Sequence, residues 1–211
     1  MVVAAVAQAL DALEQEDAEV ARRVAADDRR IDQAQYALEE HAVAIIATQQ
    51  PVASDLRLLI AAIEAAGELE RIGDYAKGIA KIVIRDVGQP FVEIPIALSS
   101  MAEQALAMLD NALDAFFRQD AAAAWQLEAA DNRVDELMQA AQTELLAVMQ
   151  RDPTTTYRAV DLLIVAHNLE RIADRTTNIA ERVIFLVRGV MVELNPGAEG
   201  VEVAACANRS V

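Results

Sequence analysis

Apolar and polar positions alternate along this chain with a helical period. In the stretch 52–86 one stripe runs Leu56, Ile60, Ile63, Gly67, Glu70, Asp74 and Gly78, in steps of three and four. That spacing places them all on one helix face. The early part of the stripe is apolar and the later part carries two acids. In 154–190 the stripe Thr156, Val160, Leu163, His167, Glu170, Asp174 and Asn178 makes the same change. Read throughout, the pattern predicts helices near 1–16, 18–49, 52–86, 95–118, 120–150 and 154–190. Asp17 and Asp120 are suited to cap the helices that follow them, and Pro51 and Pro153 mark helix-to-helix turns. Gly88, Pro90 and Pro95 make "DVGQPFVEIP" (86–95) a linker.

The elements repeat. "ELERIGDYAKGIAKIVI" (68–84) and "NLERIADRTTNIAERVI" (168–184) share nine of 17 positions at a shift of 100 residues. "DAEVARRVAADDRRIDQAQ" (17–35) resembles "DAAAAWQLEAADNRVDELM" (120–138) at a shift of 103. Duplication sets the expected fold. It is all-α, with two tandem, pseudo-symmetric three-helix bundles of spectrin-repeat-like helices. The first spans 1–88 and the second 89–190, with a flexible tail over 191–211. The first helix has 16 residues before Asp17, whereas about 24 precede Asp120, so it looks short by roughly two turns. The sequence leaves open whether this reflects a truncation or a native start.

Composition agrees with helices packed on helices: 55% of residues are hydrophobic, and only 7 Gly and 5 Pro interrupt them. The net charge of −16 excludes a general nucleic-acid binder and unaided adhesion to anionic lipid. The single cysteine, Cys206, permits no internal disulfide and fits a reducing compartment. The N-terminus lacks a basic n-region, and no uncharged apolar run reaches membrane-spanning length. A cytoplasmic location follows as the expectation.

The candidate chemistry lies in the carboxylates. Glu70 and Asp74 stand at i, i+4, as do Asp28 and Asp32 on the preceding helix. Each pair lies about 20 residues from the turn near Pro51, so antiparallel helices bring both to one level, roughly 30 Å from it. Asp131, Asp135, Glu170 and Asp174 repeat the arrangement about the turn near Pro153. Four converging carboxylates need a cation, an arginine or protonation to offset their repulsion. Oxygen donors at this spacing suit iron, manganese, magnesium or zinc. Alternatively, Arg71, Arg171, Arg30 and Arg133 pair with the acids, Arg71 and Arg171 reaching acids on neighbouring helices. His167 lies one turn before Glu170 and is either a ligand or a satisfied edge histidine; His41 reads as structural. There is no phosphate loop, zinc-type Cys/His cluster or nucleophile motif, and neither His completes a Glu-x-x-His di-iron pattern. No enzyme activity is expected.

"LERIGDYAKGIAK", "LERIADRTTNIAERVI", "QQPVASDLR", "DDRRID" and "DNRVDEL" together resemble the signatures of the PhoU family, from about Ala9 to about Gly189. The resemblance implies tandem three-helix bundles and a cytoplasmic, often dimeric, regulator of phosphate homeostasis. Such a regulator links the ATPase of a phosphate ABC transporter to a sensor histidine kinase and keeps phosphate uptake and starvation signalling low. It touches the membrane only through these partners. It also implies iron, zinc or another divalent metal at Asp28, Asp32, Glu70 and Asp74, and at Asp131, Asp135, Glu170 and Asp174. A metal-binding or metal-storage bundle without a signalling role is the competing reading. Gly78 stands where the family tends to have Asn, retained as Asn178, and His167 replaces a usual Arg, so unequal sites are expected.

Overall fold

The computed structural model describes residues 1–195, which contain helices and no strand. They form α1 (Val2–Glu14), α2 (Ala18–Gln49), α3 (Ser54–Arg85), α4 (Ile96–Arg118), α5 (Ala121–Trp125), α6 (Leu127–Arg151) and α7 (Thr156–Arg188). The caps are local and follow from the sequence. Asp17 accepts from the backbone N–H groups of Glu19 and Val20 at 2.9 and 3.0 Å. Asp120 accepts from those of Ala122 and Ala123 at the same distances. Pro153 opens a short 3₁₀ turn, and Gly189 ends α7 in the left-handed region at φ 72°.

One element differs from expectation. The helix anticipated over 120–150 is interrupted at Gln126, whose N–H bonds to Ala123 instead of continuing the α pattern alone. The turn tightens there and divides the segment into α5 and α6.

The architecture is two pseudo-symmetric three-helix bundles, α1–α3 and α4–α7. They lie side by side along α3 and α7. These two helices run antiparallel over their whole length. Arg57 near the start of α3 reaches the Leu186 carbonyl near the end of α7, and Asp86 just after α3 meets Arg158 at the start of α7. Ile72 and Ile79 of α3 share one continuous core with Leu162, Leu169, Ile172 and Ile179 of α7 and with Met101, Met108 and Leu109 of α4. Fully buried small residues, Ala76, Ala80, Ala166 and Ala180, belong to the same cluster. The two hairpins are covered unequally. α2 buries Ala21, Val24, Asp28, Ile31 and then only Ala42, whereas α6 stays buried at intervals from Leu127 to Leu145.

A charged network closes one end of the α3–α7 seam. Buried Arg158 pairs with buried Asp86 and reaches Glu16, just after α1, at 3.4 Å. Beside it Arg85 pairs with Asp161. Burial and the adjacent Asp86 carboxyl push Asp161 up to about 6, against the pull of Arg85. An unfolded aspartate titrates near ~3.9. The folded state therefore holds this proton more tightly, and the resulting stabilisation is full below about pH 4 and lost as pH rises through about 6. Asp161→Asn should remove that slope. Its stability relative to wild type is expected to rise by about 1–3 kcal/mol between pH 4 and 7.5. Urea midpoints across that range test this, and parallel profiles for the two proteins would refute it.

Residues 191–195, at the start of the expected flexible tail, fold back onto the second bundle. Leu194 is buried, and its N–H donates to Glu181 at 2.9 Å. The rest of that expectation, 196–211 with Cys206, lies outside the described residues.

Candidate functional site: two acidic clusters

Each half gathers the expected acids at the interface of its antiparallel hairpin, on the shoulder of the bundle. Asp28 and Asp131 are buried; Asp32, Asp135, Glu70, Glu170 and Asp174 are half-buried; Asp74 is exposed. Partial burial follows from the stripes themselves, since Leu56, Ile60 and Ile63 also lie half-covered. The principal core face of α3 is a different one, carrying Ile72, Ala76, Ile79 and Val83.

The carboxylates influence one another. Burial, then the charges of Asp74, Asp32 and Asp28, hold Glu70 above the usual carboxylate range. In the second half burial leads, and Asp135, Asp174 and Glu170 add to it, pushing Asp131 up to about 6. Asp135 is raised by burial and then by Glu170 and Asp174, and Asp174 is raised by burial, against the pull of Arg171 and Arg175, with Glu170 adding to the rise. The sets of four are thus assembled as the helix lengths predict. Among the described residues, however, no three His, Cys, Asp or Glu side chains form a group poised to hold a metal ion.

The charge compensation differs from expectation. None of the four arginines reaches a carboxylate on a neighbouring helix of its hairpin. Arg71 pairs with Glu68, Arg171 with Asp174, Arg30 with Asp27 and Arg133 with Glu136, each within its own helix. Pairing three residues away is a short reach for a long side chain on one helix face. The cation that bridges α2 and α3 is Lys77. Its ammonium lies 2.6 Å from Asp28 Oδ2 and 3.2 Å from Asp74 Oδ1. The hydrogen bond to Asp28 leads in raising its pKa. Sequence reasoning missed this residue, although the 100-residue shift places neutral Thr177 at the same position.

Among the described residues the second cluster has no equivalent ammonium. There the buried Asp131 accepts a hydrogen bond from the Asn195 side-chain amide at 2.6 Å. Asn195 comes from the segment after α7, so it was not among the predicted residues. His167 bonds Glu170 through Nδ1 at 2.9 Å, at the outer edge of the cluster.

Gly78 and Asn178 do distinguish the halves, but through the α3–α7 seam. Asn178 donates to Glu68 Oε2 at 3.2 Å. At the mirrored position Asn168 lies against Gly78, where a Cβ would meet its side-chain nitrogen at 3.2 Å. Glycine at 78 therefore makes room for Asn168.

The duplication and the all-helical fold agree with comparison to known proteins. A family model described as the PhoU domain matches residues 1–83 and again 98–183. The phosphate-specific transport system accessory protein PhoU of Edwardsiella tarda is 36% identical over 181 residues, covering 86% of this chain and 74% of that one. The crystal structure of PhoU from Pseudomonas aeruginosa superposes with a TM-score of 0.84 at 37% identity, covering 90% of this chain and 91% of that one. The phosphate transport system regulatory protein PhoU from Streptococcus pneumoniae gives 0.83 at 31% identity, with coverages of 91% and 90%. Two matched domains, laid on the two halves that the repeated carboxylate pairs define, make this chain a member of the PhoU family.

Proposed function

We propose that the protein is a non-enzymatic, cytoplasmic adaptor of phosphate homeostasis. It would lower phosphate uptake and phosphate-starvation signalling by linking the ATPase of a phosphate ABC transporter to a sensor histidine kinase, acting as a homodimer. The observation that carries the reading is the match of both halves to the PhoU domain, in relatives named for phosphate-specific transport. Two further facts support it. Among the described residues no helix is long and apolar enough to cross a membrane, so contact with a transporter is supplied by binding. The molecule also offers long helical faces and a net charge of −16 as recognition surface. The test is co-purification with the transporter ATPase and the kinase from phosphate-rich and phosphate-poor cells. Absence of both, together with unchanged phosphate-responsive expression on deletion, would overturn the proposal.

Metal binding enters as part of the proposal. The donors are carboxylate oxygens, which fit iron, zinc, manganese or magnesium. The two clusters fit a cation unequally. Lys77 already bridges Asp28 and Asp74 in the first. In the second, Arg171 pairs with Asp174 within α7 but among the described residues no cation bridges the two helices of the hairpin, and this is where a divalent ion would bind first. Elemental analysis after equilibration with manganese or zinc should show loss of bound metal in Glu170→Ala and little change in Glu70→Ala. Equal loss in both variants would refute the ordering. Metal retained with all phosphate regulation absent would favour a storage role.

A further inference from the structure

An apolar groove of about 440 Å³ lies between α6 and α7, lined chiefly by Met138, Leu146, Val160, Leu163 and Ile164. Leu146, Val160 and Ile164 remain 53%, 42% and 41% exposed. His167 closes the end nearest the second acidic cluster. Isolated exposed aliphatic residues need no explanation, but a contiguous exposed groove does.

The duplication supplies an internal control. At shifts of 103 and 100 residues, Met138 corresponds to Gln35 and Ile164 to Glu64, and Gln142 at the groove wall corresponds to Glu39. The first bundle carries polar and charged side chains at these three positions, whereas Leu146, Val160 and Leu163 keep the apolar counterparts Val43, Ile60 and Ile63. Gln35 bonds Glu39 at 2.9 Å, and Glu64 pairs with Arg182 at 3.3 Å. In the first half the apolar strip is thus interrupted by polar and charged side chains, and Met138 and Ile164 make it continuous in the second.

We propose that this groove docks an amphipathic helix of a partner protein that is aliphatic on one face and basic in the adjoining turn. The inference deepens the adaptor reading by naming one of its contact surfaces and the kind of segment it takes. Dimensions and charge set the chemistry of the occupant. Met138 to Leu146 spans about 12 Å of α6, room for roughly two helical turns with anchors at i, i+3 or i+4, and i+7. Beyond His167 at that end lie Glu170, to which it bonds, and Asp174, with Asp135 one turn before Met138. Arg171 meets Asp174 and His167 meets Glu170, while Asp135 makes no ion pair among the described residues. A lysine or arginine one turn beyond the aliphatic anchors would complete the cluster, and an acidic residue there would be repelled.

The test uses a fluorescein-labelled helical peptide of about eleven residues, with three leucines on one face and two lysines in its final turn, and a control peptide with glutamates replacing the lysines. Anisotropy with the full chain at low salt should show the basic peptide binding at least about tenfold more tightly than the acidic one, with affinity falling as salt rises. Ile164 is 41% exposed, so Ile164→Glu should fold, which circular dichroism checks. It should weaken the basic peptide by roughly 10–100-fold. Equal binding of both peptides, or unchanged binding to Ile164→Glu, would overturn the proposal. So would a concentration-dependent dimer that Ile164→Glu abolishes, since the groove would then belong to a second copy. Failure here leaves co-purification with the transporter untouched, so the two readings fail separately.

Discussion

Replacing Arg158 with leucine is expected to destabilise the protein by about 3–5 kcal/mol at neutral pH. Arg158 is 4% exposed, and its guanidinium is the close partner of Asp86, whose side chain is 3% exposed. Removing it leaves the buried Asp86 carboxylate beside Asp161, with an Oδ1 that already lacks a hydrogen-bond partner and only the exposed Arg85, 4.0 Å away, as counter-charge. Glu16 loses a partner as well, but it is 55% exposed and water replaces the bond at little cost. The loss therefore concentrates on Asp86. If so, Arg158→Leu combined with Asp86→Asn should recover most of the stability, because the charge that makes the site costly is gone. Chemical denaturation of both single variants and the double variant completes the cycle. A loss below about 1 kcal/mol in Arg158→Leu would show that the network is solvated in solution.

These residues also mark where sequence reasoning stops. Asp17 and Asp120 were legible as caps because a cap bonds to N–H groups two and three residues away. The level of Asp28 with Glu70, and of Asp131 with Glu170, was legible because helix rise is constant and Pro51 and Pro153 fix the turns. The side-by-side packing of α3 and α7 was not. An i, i+3, i+4 pattern tells which face is apolar and not which of two distant helices covers it. Asp86 consequently read as the start of a linker, although its partner Arg158 lies 72 residues away in the other half. Arg71 and Arg171 were legible as ion-pair formers but not by partner, since acids on the same helix compete with acids across the hairpin. Asn195 was invisible as a site residue because it follows the last helix, where periodicity gives no information.

Lys77→Thr carries the second large effect, because it gives the first cluster the residue found in the second. Lys77 lies 49 residues from Asp28 and three from Asp74, and beside Asp74 alone it resembles an ordinary surface pair. Its contact with Asp28 is different in kind. The Asp28 side chain is 5% exposed, so without the ammonium it must stay charged with little water or take up a proton. Lysine is itself 29% exposed, which lets solvent relieve part of the strain and brings the expected loss to about 2–3 kcal/mol. Measured in a chelator at neutral pH, that loss should shrink in Lys77→Thr/Asp28→Asn, where the stranded charge is absent. Adding manganese or magnesium separates a structural lysine from one that stands in for a cation. If the freed carboxylates accept the ion, a concentration about 100-fold above its dissociation constant returns about 2.7 kcal/mol to Lys77→Thr. The Asp28→Asn double variant should gain less, because one donor is lost. Glu70→Ala in the Lys77→Thr background should gain least, since Glu70 lies among Asp74, Asp32 and Asp28. An unchanged unfolding midpoint in Lys77→Thr at millimolar manganese would show that the first cluster is a salt bridge and nothing more. A midpoint that rises only when the lysine is gone would assign Lys77 the place of the ion.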